Sequence, residues 1–170
     1  MIIETERLFL RKMKESDFDA LYEVLADSDI MEHYPYTFDE ARVRRWIAQN
    51  LDCYEKDGFG LWAVILKETG EMIGDCGITM QNIHEQWLPE ICFHIRGDQQ
   101  RKGYASEAAA ACIRYAFERF DFSAVYSYIP SQRTALKNGM RFIEEYEDPS
   151  NTYTRVFAIN RTEWAEQHET

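Results

Sequence analysis

A polar loop that leads into an alanine-rich segment carries the residues best suited to chemistry. The loop ends in Gln100, Arg101, Lys102 and Gly103, and residues 104–106 begin the alanine-rich run. The first turn of a helix has unpaired N–H groups and a partial positive charge, which suit a phosphate or pyrophosphate. Glycine would let such an anion approach the backbone closely. The same glycine equally fits a helix start that is merely flexible, so both interpretations stay open.

Two side chains that could transfer protons lie just before this loop. Glu90 and His94 are four positions apart with Cys92 between them, so all three share one face of a strand unless a bulge intervenes. Glu90 suits a general base, and it also suits an ion-paired or solvated carboxylate. His94 suits a base as well, or a histidine that is only held by packing.

Periodicity and turn residues predict the elements that must position these groups. Strands are predicted at residues 5–12, 60–66, 72–80, 90–95, 124–129, 140–146 and 152–160. Helices are predicted from Ser16 onward and at residues 37–51, 104–120 and 131–138. This order indicates one α/β or α+β domain over residues 1–170, with a mostly antiparallel first half.

Composition excludes several classes of function. With 19 Lys and Arg against 30 Asp and Glu, the net charge of -11 disfavours nucleic-acid binding. An acidic chain suits a cationic or amine-bearing substrate, although the charge also serves simple solubility. The four cysteines are widely spaced without a CxxC pair, which argues against a metal site and fits a reducing cytoplasm. No segment predicts a membrane span or a signal peptide.

Several segments, in order, resemble the GNAT superfamily of N-acetyltransferases. Residues 100–105 resemble its Q/R-x-x-G-x-G/A signature, and residues 103–108 are similar to the G-Y-A-[ST]-E-A form of the branch that includes ribosomal-protein N-terminal (alanine/serine) acetyltransferases. Residues 5–11 resemble that branch's T-E-R-L-x-L-R start. Residues 90–93 resemble its E-I-G-[YF] strand, and residues 131–140 its S-x-x-x-A-x-x-x-G-[MF] helix. The resemblance covers nearly the whole chain.

The resemblance implies a fold and a reaction. The fold is a GNAT-like mixed, mostly antiparallel central sheet flanked by helices, with a splayed strand pair that holds coenzyme A. The reaction is transfer of acetyl from acetyl-CoA, by direct attack, to a primary amine of a peptide N-terminus or a small molecule, without a metal. The residues that the resemblance assigns to donor binding are Phe93, His94, Ile95, Gln100, Arg101, Lys102, Gly103, Tyr104, Ala105 and Ser106.

The resemblance also names two catalytic candidates. Glu90 matches the strand glutamate and is the candidate base, while Ser131 matches a serine that protonates the departing thiolate. Ser131 also fits a simple helix cap. Many relatives use a tyrosine four residues before the glycine, where this chain has Ala135, and Tyr128 stands where the family usually has asparagine. These departures leave a non-catalytic acyl-CoA sensor on the same fold as the alternative. Dimers are common in the family, so a homodimer is compatible with the resemblance.

Overall fold

The computed structural model describes residues 1–32, 34–129, 132–148 and 151–169. The strands are β1 Ile3–Glu4, β2 Leu8–Arg11, β3 Leu61–Leu66, β4 Met72–Ile83, β5 Gln86–Ile95, β6 Ala124–Ile129, β7 Arg141–Asp148 and β8 Asn151–Asn160. The helices are α1 Phe18–Leu25, α2 Ser28–Met31, α3 Glu40–Lys56, α4 Tyr104–Arg119, α5 Arg133–Lys137 and α6 Arg161–His168.

The eight strands form one mixed sheet in the order β1-β2-β3-β4-β5-β6-β8-β7. Every neighbouring pair in that order is antiparallel except β5 and β6, which run parallel. The predicted mixed, mostly antiparallel sheet is therefore confirmed. A parallel pair needs a crossover connection, and α4 supplies it here between β5 and β6.

The parallel pair separates almost as soon as it forms. Its one registered pair in the described residues joins Glu90 to Tyr126, whereas β5 continues to Ile95 and β6 to Ile129. On its other side β5 is paired with β4 up to Ile95. In an antiparallel ladder every second residue points its backbone groups away from the partner, so part of the β5 backbone faces the gap. The predicted splayed strand pair is confirmed.

Helices cover both faces of the sheet. The α4 helix turns Ala108, Ala109, Cys112, Ile113 and Ala116 into the core, and its small alanines let it lie close to β4 and β5. The opposite face packs against α1 and α3, which supply a second cluster of buried apolar side chains. Because both faces are covered, β3 is buried along its whole length.

Some predicted boundaries were wrong, for identifiable reasons. Residues 5–7 form a turn between β1 and β2 rather than part of a strand, because the Thr5 hydroxyl accepts a bond from the Leu8 N–H. The helix predicted from residue 37 begins at Glu40, because Asp39 caps α3 by accepting a bond from Arg42 N–H. The helix predicted from Ser16 begins at Phe18, because residues 15–17 form a single 3-10 turn before α1.

No helix within the described part of the chain is long and apolar enough to cross a membrane.

Candidate active site

The gap between β5 and β6 opens into a cleft of about 700 Å³. Residues from β5, from the loop before α4 and from the start of α4 line one wall, and side chains from α2, α3 and α5 complete it. The sequence-predicted residues among the lining are Glu90, Phe93, His94, Ile95, Gln100, Arg101, Gly103, Tyr104, Ala105 and Ser106. The structure thus brings together nearly all of the candidates that the sequence indicated.

The start of α4 lies at one end of this cleft and has the geometry that suits an anion. Gly103 is the N-cap residue and has a φ of 86°, in the left-handed region that favours glycine. The first helical bond runs from Glu107 N–H to the Gly103 carbonyl, so the N–H groups of residues 104–106 have no partner within the helix. A Cβ at Gly103 would lie 3.2 Å from Arg7 Nη2, at the end of a side chain. These features fit a pyrophosphate.

A clamp from the first turn of the chain fixes this helix start. Glu107 accepts hydrogen bonds from the Thr5 hydroxyl at 2.6 Å and from Arg7 N–H and Nε at 2.9 and 2.7 Å. Arg7 also donates to the Lys102 carbonyl and stacks over the Tyr104 ring. Burial disfavours the ionised carboxyl, but these hydrogen bonds outweigh it and keep the pKa of Glu107 below its ordinary value. Thr5 and Arg7 of the β1–β2 turn and Glu107 of α4 therefore depend on each other.

Gln100 and Lys102 of the loop mainly hold neighbouring parts of the chain in place. Gln100 donates from Nε2 to the Ile95 carbonyl at 2.9 Å and so holds the end of β5. Lys102 is exposed, bonds to Gln99 and is not among the residues that line the cleft. Two cations of α5 that the sequence did not single out, Arg133 and Lys137, do line it. Ser131 lies outside the described residues.

Glu90, Cys92 and His94 share one face of β5, as predicted. No bulge interrupts β5, because these residues pair in register with Thr79, Gly77 and Asp75 of β4. This is the face covered by α1 and α3, and α4 packs on the other.

The carboxyl of Glu90 is buried, with 5% of its surface exposed. Burial raises the pKa of Glu90 to about 8, although a hydrogen bond with the Cys92 thiol lowers it slightly. A carboxyl that exchanges its proton near pH 8 is suited to general base catalysis under mildly alkaline conditions. The alternative of a solvated carboxylate is wrong, since the side chain is buried.

Glu90 should make stability depend on pH. Its pKa is raised in the folded state, so the stabilisation from its retained proton is complete below about pH 4.5 and is lost as pH rises through about 8. We expect the melting temperature of Glu90→Gln, minus that of wild type, to increase between pH 5 and pH 9. Circular dichroism measures both melting temperatures. The exposed turn variant Glu68→Gln is the control and should keep a constant difference. A difference in melting temperature that stays constant for Glu90→Gln would contradict the raised pKa of Glu90.

His94 is held by hydrogen bonds rather than by packing alone. Its Nε2 lies 2.6 Å from the Tyr34 hydroxyl, and its Nδ1 lies 2.7 Å from Asp75 Oδ1. Trp46 Nε1 donates to the other Asp75 oxygen at 3.0 Å. Sequence patterns did not indicate Asp75 and Trp46 as site residues, since they come from separate elements and no local motif joins them.

The described part of the chain contains no cluster of three or more His, Cys, Asp or Glu side chains that could hold a metal ion.

Comparison with known proteins gives a consistent picture. The family model for the acetyltransferase (GNAT) domain matches residues 7–141. YnaD of Bacillus subtilis, named as an uncharacterised N-acetyltransferase, is 31% identical over 175 residues, which cover 96% of this chain and 99% of YnaD. A GNAT-family acetyltransferase structure from Bacillus anthracis is 28% identical, with a TM-score of 0.80 over 94% of this chain and 98% of that one.

One structure with a lower sequence identity to this chain is similar to it in fold only. RimL, named as a ribosomal alpha-N-protein acetyltransferase in complex with coenzyme A, is 16% identical, with a TM-score of 0.76 over 94% of this chain and 97% of RimL. The family model spans well over half of the chain, and the splayed strands and the helix start of the cleft agree with it. The chain therefore belongs to the GNAT acetyltransferase family.

Proposed function

We propose that this acetyltransferase moves the acetyl group of acetyl-CoA to a primary amine by direct attack. The observation that carries the proposal is the continuous cleft, in which the open side of β5 leads to the unpaired N–H groups at the start of α4. An extended amide-bearing arm ending in a pyrophosphate matches both features. RimL, which shares the fold, is named in complex with coenzyme A.

Charge supports the donor end. Arg101, beside the start of α4, and Arg133 and Lys137 of α5 place cations along the cleft, although the chain as a whole has a net charge of -11. Phosphate groups favour such cations together with a helix N-terminus. The residues proposed to hold the donor are the backbone of Phe93, His94 and Ile95 and the loop from Gln100 to Ser106, with Lys102 contributing through its backbone.

The acceptor end is proposed to lie on the face of β5 that carries Glu90 and His94. This face lies towards α3 and the connection that precedes it, on the opposite side of the sheet from α4. Its ionisable groups are carboxyl, thiol, imidazole and phenol, without a lysine or arginine on that strand face. Such surroundings favour an ammonium group over an anion.

The proposed chemistry assigns a proton transfer to Glu90. The amine must lose a proton to attack, and the thioester supplies the acyl group. A backbone N–H of the open β5 segment is the proposed donor to the developing oxyanion. Ser131 stays a candidate acid for the departing thiolate on the resemblance of its sequence.

Two measurements test the proposal. Titration calorimetry should show binding of acetyl-CoA and CoA but not of ATP at comparable concentrations, and absence of any CoA binding would overturn the donor assignment. Thiol release should then be measured with a seryl peptide, an alanyl peptide, spermidine and kanamycin as acceptors. Binding of acetyl-CoA without acetylation of any of these amines would favour an acyl-CoA sensor instead.

A further inference from the structure

We propose that the Tyr34 hydroxyl is a second proton acceptor of this reaction, acting through His94 and Asp75. The inference rests on the proposed function, because the proton concerned is the one that the amine acceptor loses. It adds a catalytic residue from the connection before α3 and two residues that position it.

The donors and acceptors of these hydrogen bonds set the direction in which a proton can pass from Tyr34 to His94. Trp46 Nε1–H can only donate, so Asp75 Oδ2 accepts from it at 3.0 Å. Asp75 Oδ1 accepts from Nδ1–H of His94 at 2.7 Å, which leaves Nε2 with a lone pair. That nitrogen lies 2.6 Å from the Tyr34 oxygen and accepts its O–H. The lone pairs of the Tyr34 oxygen are then available to a group in the cleft.

The surroundings hold this arrangement rigid and close to the substrate. Asp75 is fully buried and His94 is 8% exposed, whereas Tyr34, Trp46 and His94 all line the cleft. Edge-on ring contacts fix the aromatic side chains, with Tyr34 at 5.0 Å from Phe38 and Trp46 at 5.6 Å from His94 between centroids. A preorganised donor and acceptor pair of this kind is what proton transfer requires.

The proposed step is balanced in protons. The N–H bond of the acceptor ammonium breaks and its proton forms an O–H bond with the Tyr34 oxygen. The original O–H proton of Tyr34 moves to Nε2 of His94, and the carboxylate of Asp75 stabilises the imidazolium. The free amine forms the new C–N bond as the C–S bond breaks. The imidazolium returns its proton to water, and the second proton that the attacking nitrogen must lose ends on the departing thiolate.

The phenol cannot serve as a base without His94. Burial raises the pKa of Tyr34 well above its ordinary value, and Cys92, Asp75, Glu90 and Tyr36 raise it further. The hydroxyl therefore stays protonated and can accept a proton only while it passes its own to His94. Since burial also keeps Glu90 protonated below about pH 8, the relay through Tyr34 would operate in the range where Glu90 cannot accept a proton.

The test measures kcat and the KM for acetyl-CoA with whichever of the four probe amines reacts fastest. In the Glu90→Gln background, where the relay alone accepts the proton, Tyr34→Phe keeps the ring packing and should lower kcat at pH 7 by about 10-fold or more, with little change in the KM for acetyl-CoA. In the same background His94→Gln should have a similar effect, and combining it with Tyr34→Phe should lower kcat no further. Tyr22→Phe, on the half-exposed side of α1, is the matched control and should be unchanged.

A second measurement does not depend on turnover. The Nδ1 proton of His94 should give a strongly deshielded NMR signal in wild type, which should shift in Tyr34→Phe and disappear in His94→Gln. Unchanged kcat when Tyr34→Phe is added to a folded Glu90→Gln enzyme that binds acetyl-CoA would overturn the relay alone. Failure of the wild type to acetylate any of the four amines would overturn the proposed function and the relay together.

Discussion

Replacement of Gly103 by glutamate is expected to weaken acetyl-CoA binding by about 100-fold or more, or ~2.7 kcal/mol. The φ of 86° at this position strains any L side chain. The new carboxylate would also lie beside Arg7 Nη2 and the first-turn N–H groups, and would compete there with the pyrophosphate. Titration calorimetry with acetyl-CoA and with CoA measures the change.

A matched variant separates this effect from strain and charge. Gly70 has a φ of 75° in the β3–β4 turn, and a Cβ there would meet nothing within 4 Å. Gly70→Glu therefore adds the same side chain at a similar backbone conformation, and we expect its acetyl-CoA affinity to match wild type. A folded Gly103→Glu protein that binds as tightly as Gly70→Glu would contradict the donor site.

Glu90→Gln is expected to lower kcat by about 100-fold above pH 8, since general base catalysis typically contributes about 10²–10⁴-fold. Glutamine keeps the shape and removes the group that accepts the proton. The loss should shrink below pH 8, because the wild-type carboxyl is itself protonated there. The affinity for acetyl-CoA should stay unchanged.

The ratio of wild-type to variant rates at each pH is the quantity to measure. Ionisation of the amine acceptor affects both enzymes equally, so it cancels in that ratio. Glu68→Gln in the β3–β4 turn serves as the control and should give a ratio near one throughout. A Glu90→Gln ratio that does not rise through about pH 8 would assign the base elsewhere.

Local patterns predicted much of the fold because they report on local causes. The helical spacing of the buried residues of α4 and the continuous apolar run of β3 are each properties of a single element. The strand prediction began only after Pro89, since proline usually marks a strand start or edge, yet β5 begins at Gln86. The helix α6 was missed although its capping box, Asn160 with Glu163, is visible in the sequence.

The candidate site also has one part that local sequence patterns indicated and another part that they did not. Its donor end is one contiguous loop and helix start, so a single motif indicated it. The partners of His94 come from separate elements, with Tyr34 sixty residues away along the chain. The burial of Glu90 depends on helices packed over the strand. Sequence patterns report side-chain type and spacing, whereas these two properties arise only from tertiary packing.

The clamp on Glu107 bears on how a mutational scan of this chain should be scored. Thr5 is not among the residues that line the cleft, yet its hydroxyl binds a side chain one turn into α4. A library ranked on activity alone would therefore group Thr5 with the active-site residues. Separate scores for folded yield, acetyl-CoA affinity and turnover would instead place Thr5 and Glu107 with affinity, and Glu90 and Tyr34 with turnover.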